Sequence, residues 1–201
     1  MTSKRDWRAF FRRIRHAAIL RLRATFAVAT ARPRSCARLK RNNARKILVI
    51  CYGNIYRSPF VAELLKARLG GSVEVRSAGF HAVAGRPSPE RHVRIAQDYG
   101  VRLEHHRSSI ASPDDLAWAD LIVLMDRHNW AALRQMGAPE DKLVWLGAFT
   151  RGPVEIPDPY NQDEEEARRI VGRLRDAAEL LASRITNRPT SLADAALTRD
   201  L

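Results

Sequence analysis

The sequence has few cysteines and no long apolar stretch. Its 201 residues include two cysteines, Cys36 and Cys51. This number is too small for a disulfide-stapled scaffold and is typical of proteins that stay in a reducing compartment. No stretch approaches the roughly 18 apolar residues that a membrane-spanning helix requires. We therefore expect a cytoplasmic protein with one domain, large enough to bury a sizeable core.

Acidic residues are almost absent near the N-terminus. Residues 1–46 hold 15 Lys and Arg and the single acid Asp6, a formal charge of +14 in a chain whose total is +13. The remaining residues therefore carry a charge of −1, so the basic character belongs to an N-terminal extension, residues 1–45. This extension lacks aromatic residues interleaved with basic ones for stacking on bases. A nucleic-acid partner is not expected, since the domain itself has no basic excess.

Several interpretations of the basic extension stay open. Residues 4–30 alternate apolar and basic positions at helical spacing, which predicts an amphipathic helix on an anionic membrane surface. The apolar positions are Trp7, Phe11, Ile14, Ala18 and Leu22. The alternatives are a disordered basic tail, a misassigned start codon and an organelle transit peptide. Residues 31–45, with a proline and scattered arginines, are typical of a linker, and we expect the extension to be dispensable for catalysis.

From residue 46 onward, short apolar runs alternate with helical patterns. The strand candidates are residues 46–50, 73–76, 121–125 and 143–146, and the helix candidates are residues 59–69, 89–99, 113–117, 127–136 and 164–183. This alternation predicts an α/β fold, a doubly wound three-layer sandwich with a four-stranded parallel sheet. We assign residues 46–185 to this domain and residues 186–201 to a C-terminal tail. Ligands of such folds bind beyond the carboxyl ends of the strands, where Cys51 and Asp126 are expected.

The stretch after the first strand candidate has the composition of a phosphate-binding loop. Cys51 directly follows the apolar run 46–50. Ser58 and Pro59 then carry the N-cap and first-position signals of a helix. Helix N-termini attract anions and favour the thiolate form of a nearby cysteine. Arg57, six residues after the cysteine, can clamp a phosphate through two parallel hydrogen bonds.

Residues 51–59 resemble the active-site loop of low-molecular-weight protein tyrosine phosphatases, which reads C-x-G-N-x-C-R-S-P. Further stretches follow in the family's order at residues 76–79, 106–107, 124–127 and 157–160. The resemblance covers about residues 46–185. It implies hydrolysis of phosphotyrosine proteins through a cysteinyl-phosphate, with Cys51 as nucleophile, Arg57 as phosphate clamp and Asp158 as general acid and base. It implies neither a cofactor nor a metal.

The resemblance also implies a set of residues around the phosphate. The expected substrate-binding residues are Tyr52, Gly53, Asn54, Ile55, Tyr56, Ser58 and Tyr160. Ser58 is expected to donate a hydrogen bond to the Cys51 sulfur. In the family, a network from the loop asparagine and serine reaches a second serine and a histidine, which correspond to Ser77 and His106.

Other residues are expected to form the walls of the pocket and to support the loop. Ile55, Tyr52 and Tyr160 should offer apolar surfaces to an aromatic ring. Gly53 is expected to permit an unusual backbone conformation in the loop. Asp126 is expected to brace the site or to cap the next helix.

Two positions depart from the family's pattern. Tyr56 stands where a second loop cysteine is usual, so the protective vicinal disulfide is not available unless the distant Cys36 serves in its place. Asn161 stands where animal members often carry another tyrosine, which makes the rim of the pocket more polar.

Other functions stay open on the same fold. Arsenate reductase needs a relay of cysteines that this domain lacks. Members resembling protein-arginine phosphatases carry threonine at the position of Ile55. A non-catalytic phosphate-binding adaptor would tolerate loss of the nucleophile or the acid, whereas both are present in this sequence.

Overall fold

A four-stranded parallel sheet forms the centre of the computed structural model, which describes Ile19 and residues 22–187. Its strands are β1 (Lys46–Cys51), β2 (Glu74–Gly79), β3 (Leu121–Leu124) and β4 (Leu143–Trp145). They are ordered β2-β1-β3-β4, and each neighbouring pair is parallel. All residues of β3 and β4 are buried, because helices cover both faces of such a sheet. The predicted α/β fold with a four-stranded parallel sheet is confirmed.

Helices cover the two faces of the sheet and form two cores. They are α1 (Ala31–Arg41), α2 (Arg57–Leu69), α3 (Glu90–Gln97), α4 (Pro113–Trp118), α5 (Arg127–Gln135) and α6 (Glu164–Thr186), with 3₁₀ turns at Gly70–Ser72, Glu140–Lys142 and Leu146–Phe149. Ile47 and Val49 of β1 join the core beneath α2 and α6. Leu48 and Ile50 point to the opposite core beneath α4 and α5, as the alternation of side chains along a strand requires.

The start of α2 differs from its prediction. The helix begins at Arg57, and its N-cap is Tyr56, which makes no side-chain capping bond. Ser58 is therefore not the N-cap residue. Its hydroxyl lies against the Cys51 sulfur instead. The serine that was predicted to cap the helix is therefore a residue of the candidate active site.

The interpretation of residues 31–45 as a linker is wrong, because α1 packs along β4. Ser35 is fully buried, and its hydroxyl oxygen accepts a hydrogen bond from the Trp145 N–H at 3.0 Å. Arg38 donates to the Leu143 carbonyl at 2.8 Å. Since β4 lies at the edge of the sheet, these side chains satisfy backbone groups that an edge strand otherwise leaves open. The extension is thus partly built into the folded domain.

The remainder of the extension is described only in part. Residues 22–29 are helical, and Leu22 and Phe26 are exposed large apolar side chains. The rest of the predicted amphipathic helix, apart from Ile19, lies outside the described residues. None of the helices in the described part of the chain is long and apolar enough to span a membrane.

Candidate active site

The sulfur of Cys51 lies at the carboxyl end of β1 among hydrogen-bond donors. Cys51 is the last residue of β1 and is buried. Its Sγ accepts the Asn54 N–H at 3.2 Å and lies 3.0 Å from the Ser58 Oγ. The Asn54 amide donates to the same Ser58 oxygen at 2.9 Å. Because that oxygen already accepts a hydrogen bond, the hydroxyl proton of Ser58 is free to point at the sulfur.

Asn54 carries the unusual backbone conformation of the 51–58 loop. Its φ is 49°, and it is the only non-glycine residue with positive φ in the described part of the chain. Asparagine tolerates this left-handed conformation better than most residues. Gly53 was predicted to hold this conformation, and that prediction is wrong. A Cβ on Gly53 would instead lie 3.2 Å from Ile55 and 3.5 Å from the Arg86 guanidinium, so glycine provides space.

A hydrogen-bond network holds Asn54 in this strained conformation. Its amide nitrogen donates to the Ser77 hydroxyl at 2.9 Å, and its amide oxygen accepts the Ser109 N–H at 2.7 Å. The Asn54 carbonyl accepts from His106 Nε2 at 2.6 Å. Burial lowers the pKa of His106, although the bond to Asn54 partly opposes this effect. A neutral His106 protonated at Nε2 is therefore the donor, and Ser77 and His106 both contact the loop as the resemblance implies.

The loop rests directly on the end of β2 at Gly79. A Cβ at this position would lie 2.6 Å from the Tyr52 carbonyl oxygen and 2.8 Å from the Asn54 nitrogen. The same Tyr52 oxygen accepts the N–H groups of Phe80 and His81 at 2.8 and 3.1 Å. Contact this close leaves no room for a side chain, so Gly79 fixes the height of the loop above the sheet.

Arg57 is buried between two carboxylates. It is 1% exposed and donates to Asp126 through Nη1 and to Asp158 through Nη2, both at 2.6 Å. Burial lowers the pKa of Arg57, but the charges of Cys51, Asp158 and Asp126 outweigh burial and raise the pKa above its ordinary value. Asp126 also caps α5 by accepting the Asn129 N–H at 2.8 Å. Asp126 therefore both braces Arg57 and caps a helix, the two roles expected for it.

A cavity of about 460 Å³ opens above the sulfur. Its lining residues are Cys51, Tyr52, Gly53, Ile55, Tyr56, His81, Arg86, Asp158, Tyr160, Asn161 and Gln162. Most of the predicted substrate-binding residues are in this lining. Asn54 and Ser58 also belong to the loop, but both are fully buried and neither lines the cavity. The described residues include no group of three or more His, Cys, Asp or Glu that could hold a metal ion.

Two basic residues of the cavity were not predicted from the sequence. Arg86 donates to the Gly53 carbonyl at 2.5 Å, and the His81 ring lies edge-on to Tyr52 at 6.0 Å. Arg86 is one of 35 Lys and Arg residues in the chain. Its partner is a backbone carbonyl, an acceptor that every residue has, so no motif distinguishes this arginine in the sequence.

Comparison with known proteins decides the family. A sequence model described as low molecular weight phosphotyrosine protein phosphatase matches residues 46–191. The chain belongs to this family. The phosphatase is 35% identical over 152 residues to the low molecular weight protein-tyrosine-phosphatase Etp of Escherichia coli K12, covering 75% of this chain and 99% of Etp. Helix α1 lies outside the matched region.

Two solved structures with this fold have different activities. The tyrosine phosphatase AmsI of Erwinia amylovora superposes with a TM-score of 0.64 at 31% identity, covering 70% of this phosphatase and 92% of AmsI. The arginine phosphatase YwlE of Geobacillus stearothermophilus superposes with a TM-score of 0.64 at 26% identity, covering 71% and 93%. The shared fold therefore carries two substrate classes.

Proposed function

We propose that this phosphatase hydrolyses phosphotyrosine in proteins through a cysteinyl-phosphate intermediate. The observation that carries the proposal is that Cys51 and Asp158 line one cavity, while the buried Arg57 bonds to Asp158. The Cys51 sulfur accepts hydrogen bonds at the floor of this cavity, the Asp158 carboxyl group lines its wall, and Arg57 bonds to that carboxyl group at 2.6 Å. A nucleophile, a fixed cation and a proton donor are the groups that phosphomonoester hydrolysis requires.

The first step transfers the phosphoryl group to sulfur. The Cys51 thiolate attacks phosphorus, and the bond between phosphorus and the tyrosine oxygen breaks. Because a phenol has a pKa of about 10, the leaving oxygen takes a proton from Asp158 as the bond breaks. Arg57 Nε is buried without a hydrogen-bond partner among the described residues and is a suitable donor to a phosphate oxygen. If a phosphate oxygen also accepts the hydrogen bond of Arg57 Nη2, Asp158 loses this bond and can turn toward the leaving group.

The second step returns the enzyme to its starting state. Water attacks phosphorus, and the Asp158 carboxylate accepts a proton from this water. The bond between phosphorus and sulfur breaks, inorganic phosphate leaves, and the sulfur departs as a thiolate. The Ser58 hydroxyl and the Asn54 N–H, which lie 3.0 and 3.2 Å from the sulfur, stabilise the negative charge that develops there.

The cavity favours phosphotyrosine over phosphoarginine. Ile55, Tyr52 and Tyr160 offer apolar and aromatic surfaces to a phenyl ring. The Arg86 guanidinium on the same wall would repel a guanidinium leaving group. Protein-arginine phosphatase remains the alternative, since YwlE shares the fold. Parallel assays on matched phosphotyrosine and phosphoarginine peptides distinguish the two functions.

Two variants and a leaving-group series test the mechanism. Cys51→Ser should abolish turnover while inorganic phosphate still binds. Asp158→Asn should lower kcat/KM for phenyl phosphate by about 10²–10⁴-fold, the usual contribution of general acid catalysis, with a smaller loss for acidic phenols. The control is Asp114→Asn, the same change at an exposed carboxylate of α4. An equal loss of kcat/KM for all leaving groups would show that Asp158 only shapes the cavity, because kcat/KM does not include the later hydrolysis step in which Asp158 acts as base.

We further propose that the N-terminal extension attaches the phosphatase to an anionic membrane surface. Leu22 and Phe26 are exposed and lie one helical turn apart, and the extension has 14 Lys and Arg against one acid, a net charge of +13. Apolar side chains next to basic ones suit the headgroup region. Sedimentation with phosphatidylserine vesicles at low and high salt tests this, with Leu22→Ser/Phe26→Ser as the variant. If the wild type does not sediment with these vesicles at low salt, the extension does not attach the phosphatase to anionic membranes.

A further inference from the structure

Helix α3 reaches the Asp158 side of the cavity through Arg91. The Arg91 guanidinium donates to the backbone carbonyls of Pro159, Tyr160 and Gln162 at 3.3, 3.3 and 2.9 Å. It also lies 3.4 Å from the Tyr56 hydroxyl. One side chain therefore contacts both the 51–58 loop and the 157–162 loop, which carry the nucleophile and the proposed acid.

His92, the next residue of α3, fixes the helix to the 51–58 loop. Its Nε2 donates to the Tyr56 carbonyl at 2.9 Å, and its ring stacks on the Tyr56 ring with 4.0 Å between centroids. Burial lowers the pKa of His92 to about 4, so the ring is neutral near pH 7. The backbone that carries Arg91 is therefore held against the loop, and its guanidinium extends from a fixed point.

Apart from Arg91, the segment after Asp158 is held by packing, since Pro159 is buried and the Tyr160 ring lies edge-on to Tyr56 at 6.0 Å, and its other hydrogen bonds are local. The Tyr160 N–H bonds to the Asp158 carboxyl group at 3.1 Å, and the Gln162 N–H bonds to the Pro159 carbonyl at 3.2 Å. Both of these bonds lie within the loop and do not tie it to the rest of the protein. Within the described part of the chain, no side chain other than that of Arg91 donates to the three carbonyls. Pro159 has no N–H to offer to a neighbouring element.

We propose that Arg91 is a positioning residue that holds the 157–162 loop so that Asp158 reaches the leaving oxygen. This inference rests on the proposed role of Asp158 as general acid. Proton transfer requires hydrogen-bond distance between acid and leaving oxygen, and a displacement of about 1 Å can cost roughly 10²-fold in rate. Arg91 itself does not line the cavity, so its removal should change the position of the acid and leave the phosphate contacts intact.

The first experiment compares leaving groups. Arg91→Met removes the donors and keeps most of the apolar stem, and Arg94→Met is the matched control at an exposed position of the same helix. We expect Arg91→Met to lower kcat/KM for phenyl phosphate by about 10- to 10²-fold. On 2,4-dinitrophenyl phosphate, whose leaving group needs little protonation, the change should stay within about threefold. The inhibition constant of inorganic phosphate should remain within about twofold of wild type, and Arg94→Met should change none of these values.

A double variant separates positioning from support of the fold. Because the two residues act on one proton transfer, Arg91→Met/Asp158→Asn should be no more than about twofold slower than Asp158→Asn. Arg91→Lys, which keeps a cationic donor, should recover part of the loss. Equal losses on both substrates with weaker phosphate binding, or multiplied losses in the double variant, would overturn the inference.

Failure of the underlying mechanism has a different signature. If Asp158→Asn lowers kcat/KM by the same factor on both substrates, Asp158 is not the general acid. If Asp158→Asn shows the leaving-group dependence and Arg91→Met does not, the mechanism stands and the role of Arg91 fails.

Discussion

Helix α1 should contribute several kcal/mol to the stability of a domain that was predicted to begin after it. Leu39, 3% exposed, packs into the core beneath α2 and α6. Truncation of a buried leucine to alanine typically costs about 2–5 kcal/mol. Ser35→Ala would leave the buried Trp145 N–H without its acceptor, at a cost of about 1–3 kcal/mol. Since domains of this size are stable by about 5–15 kcal/mol, either loss is a large fraction of the total.

Urea unfolding of the full chain measures these losses. The control is Leu180→Ala, the same change on α6 at a side chain that is 44% exposed, which should cost less than about 1 kcal/mol. No residue of α1 lines the cavity, so kcat/KM on an aryl phosphate at 25 °C should stay within about twofold of wild type for all three variants. If Leu39→Ala and Leu180→Ala unfold at the same urea concentration, α1 does not stabilise the domain.

Three further predictions concern the site and its supports. Arg57→Lys should lower kcat/KM by at least about 10²-fold, because an ammonium cannot satisfy two carboxylates and a phosphate together; near-normal steady-state kinetics would contradict this. Gly79→Ala should displace the 51–58 loop, since its Cβ would lie 2.6 Å from the Tyr52 oxygen; a loss of phosphate affinity by calorimetry checks it. His92 has a pKa near 4 when folded against 6.5 in its reference state, so the unfolded chain binds more protons between these values. Its contribution to stability is complete above pH 6.5 and falls by about 2 kcal/mol by pH 5, and His92→Phe should remove this part of the pH dependence measured by urea unfolding.

The strands could be predicted from the sequence because both of their faces are buried. Residues such as Leu121–Leu124 then form continuous apolar runs, and the turn from β1 into α2 carries a dense motif. Helix α1 gave no such signal. Its buried positions are Ala31, Ser35 and Leu39, a stripe with one large apolar residue. Pro33 is tolerated there because it lies in the first turn of the helix, where its missing N–H has no intrahelical partner to lose.

The motif identified the residues that contact the sulfur and Arg57, but it could not identify their supports. Arg86 and Arg91 hold the loops through backbone carbonyls. Because every residue has a backbone carbonyl, the residue types in the sequence do not indicate which carbonyls accept these bonds. The unusual backbone conformation was predicted for Gly53, but Asn54 has it. Glycine is the usual residue at positive φ, whereas here the Ser77 and Ser109 bonds hold an asparagine there.

The two carboxylates that bind Arg57 differ in how firmly they are held, and this difference indicates which of them can take part in proton transfer. The Asp126 side chain is 15% exposed and is also bonded to the Asn129 N–H at the start of α5. The Asp158 side chain is 40% exposed and lies on a loop whose carbonyls are bonded to Arg91. A phosphate dianion that competes for Arg57 would displace Asp158 first. The exposed Asp158 carboxylate can be hydrated by water once it leaves Arg57, whereas displacement of Asp126 would also cost the cap of α5. In the proposed mechanism, Asp126 then remains as the fixed counter-charge, and Asp158 is the carboxyl group that turns toward the leaving oxygen.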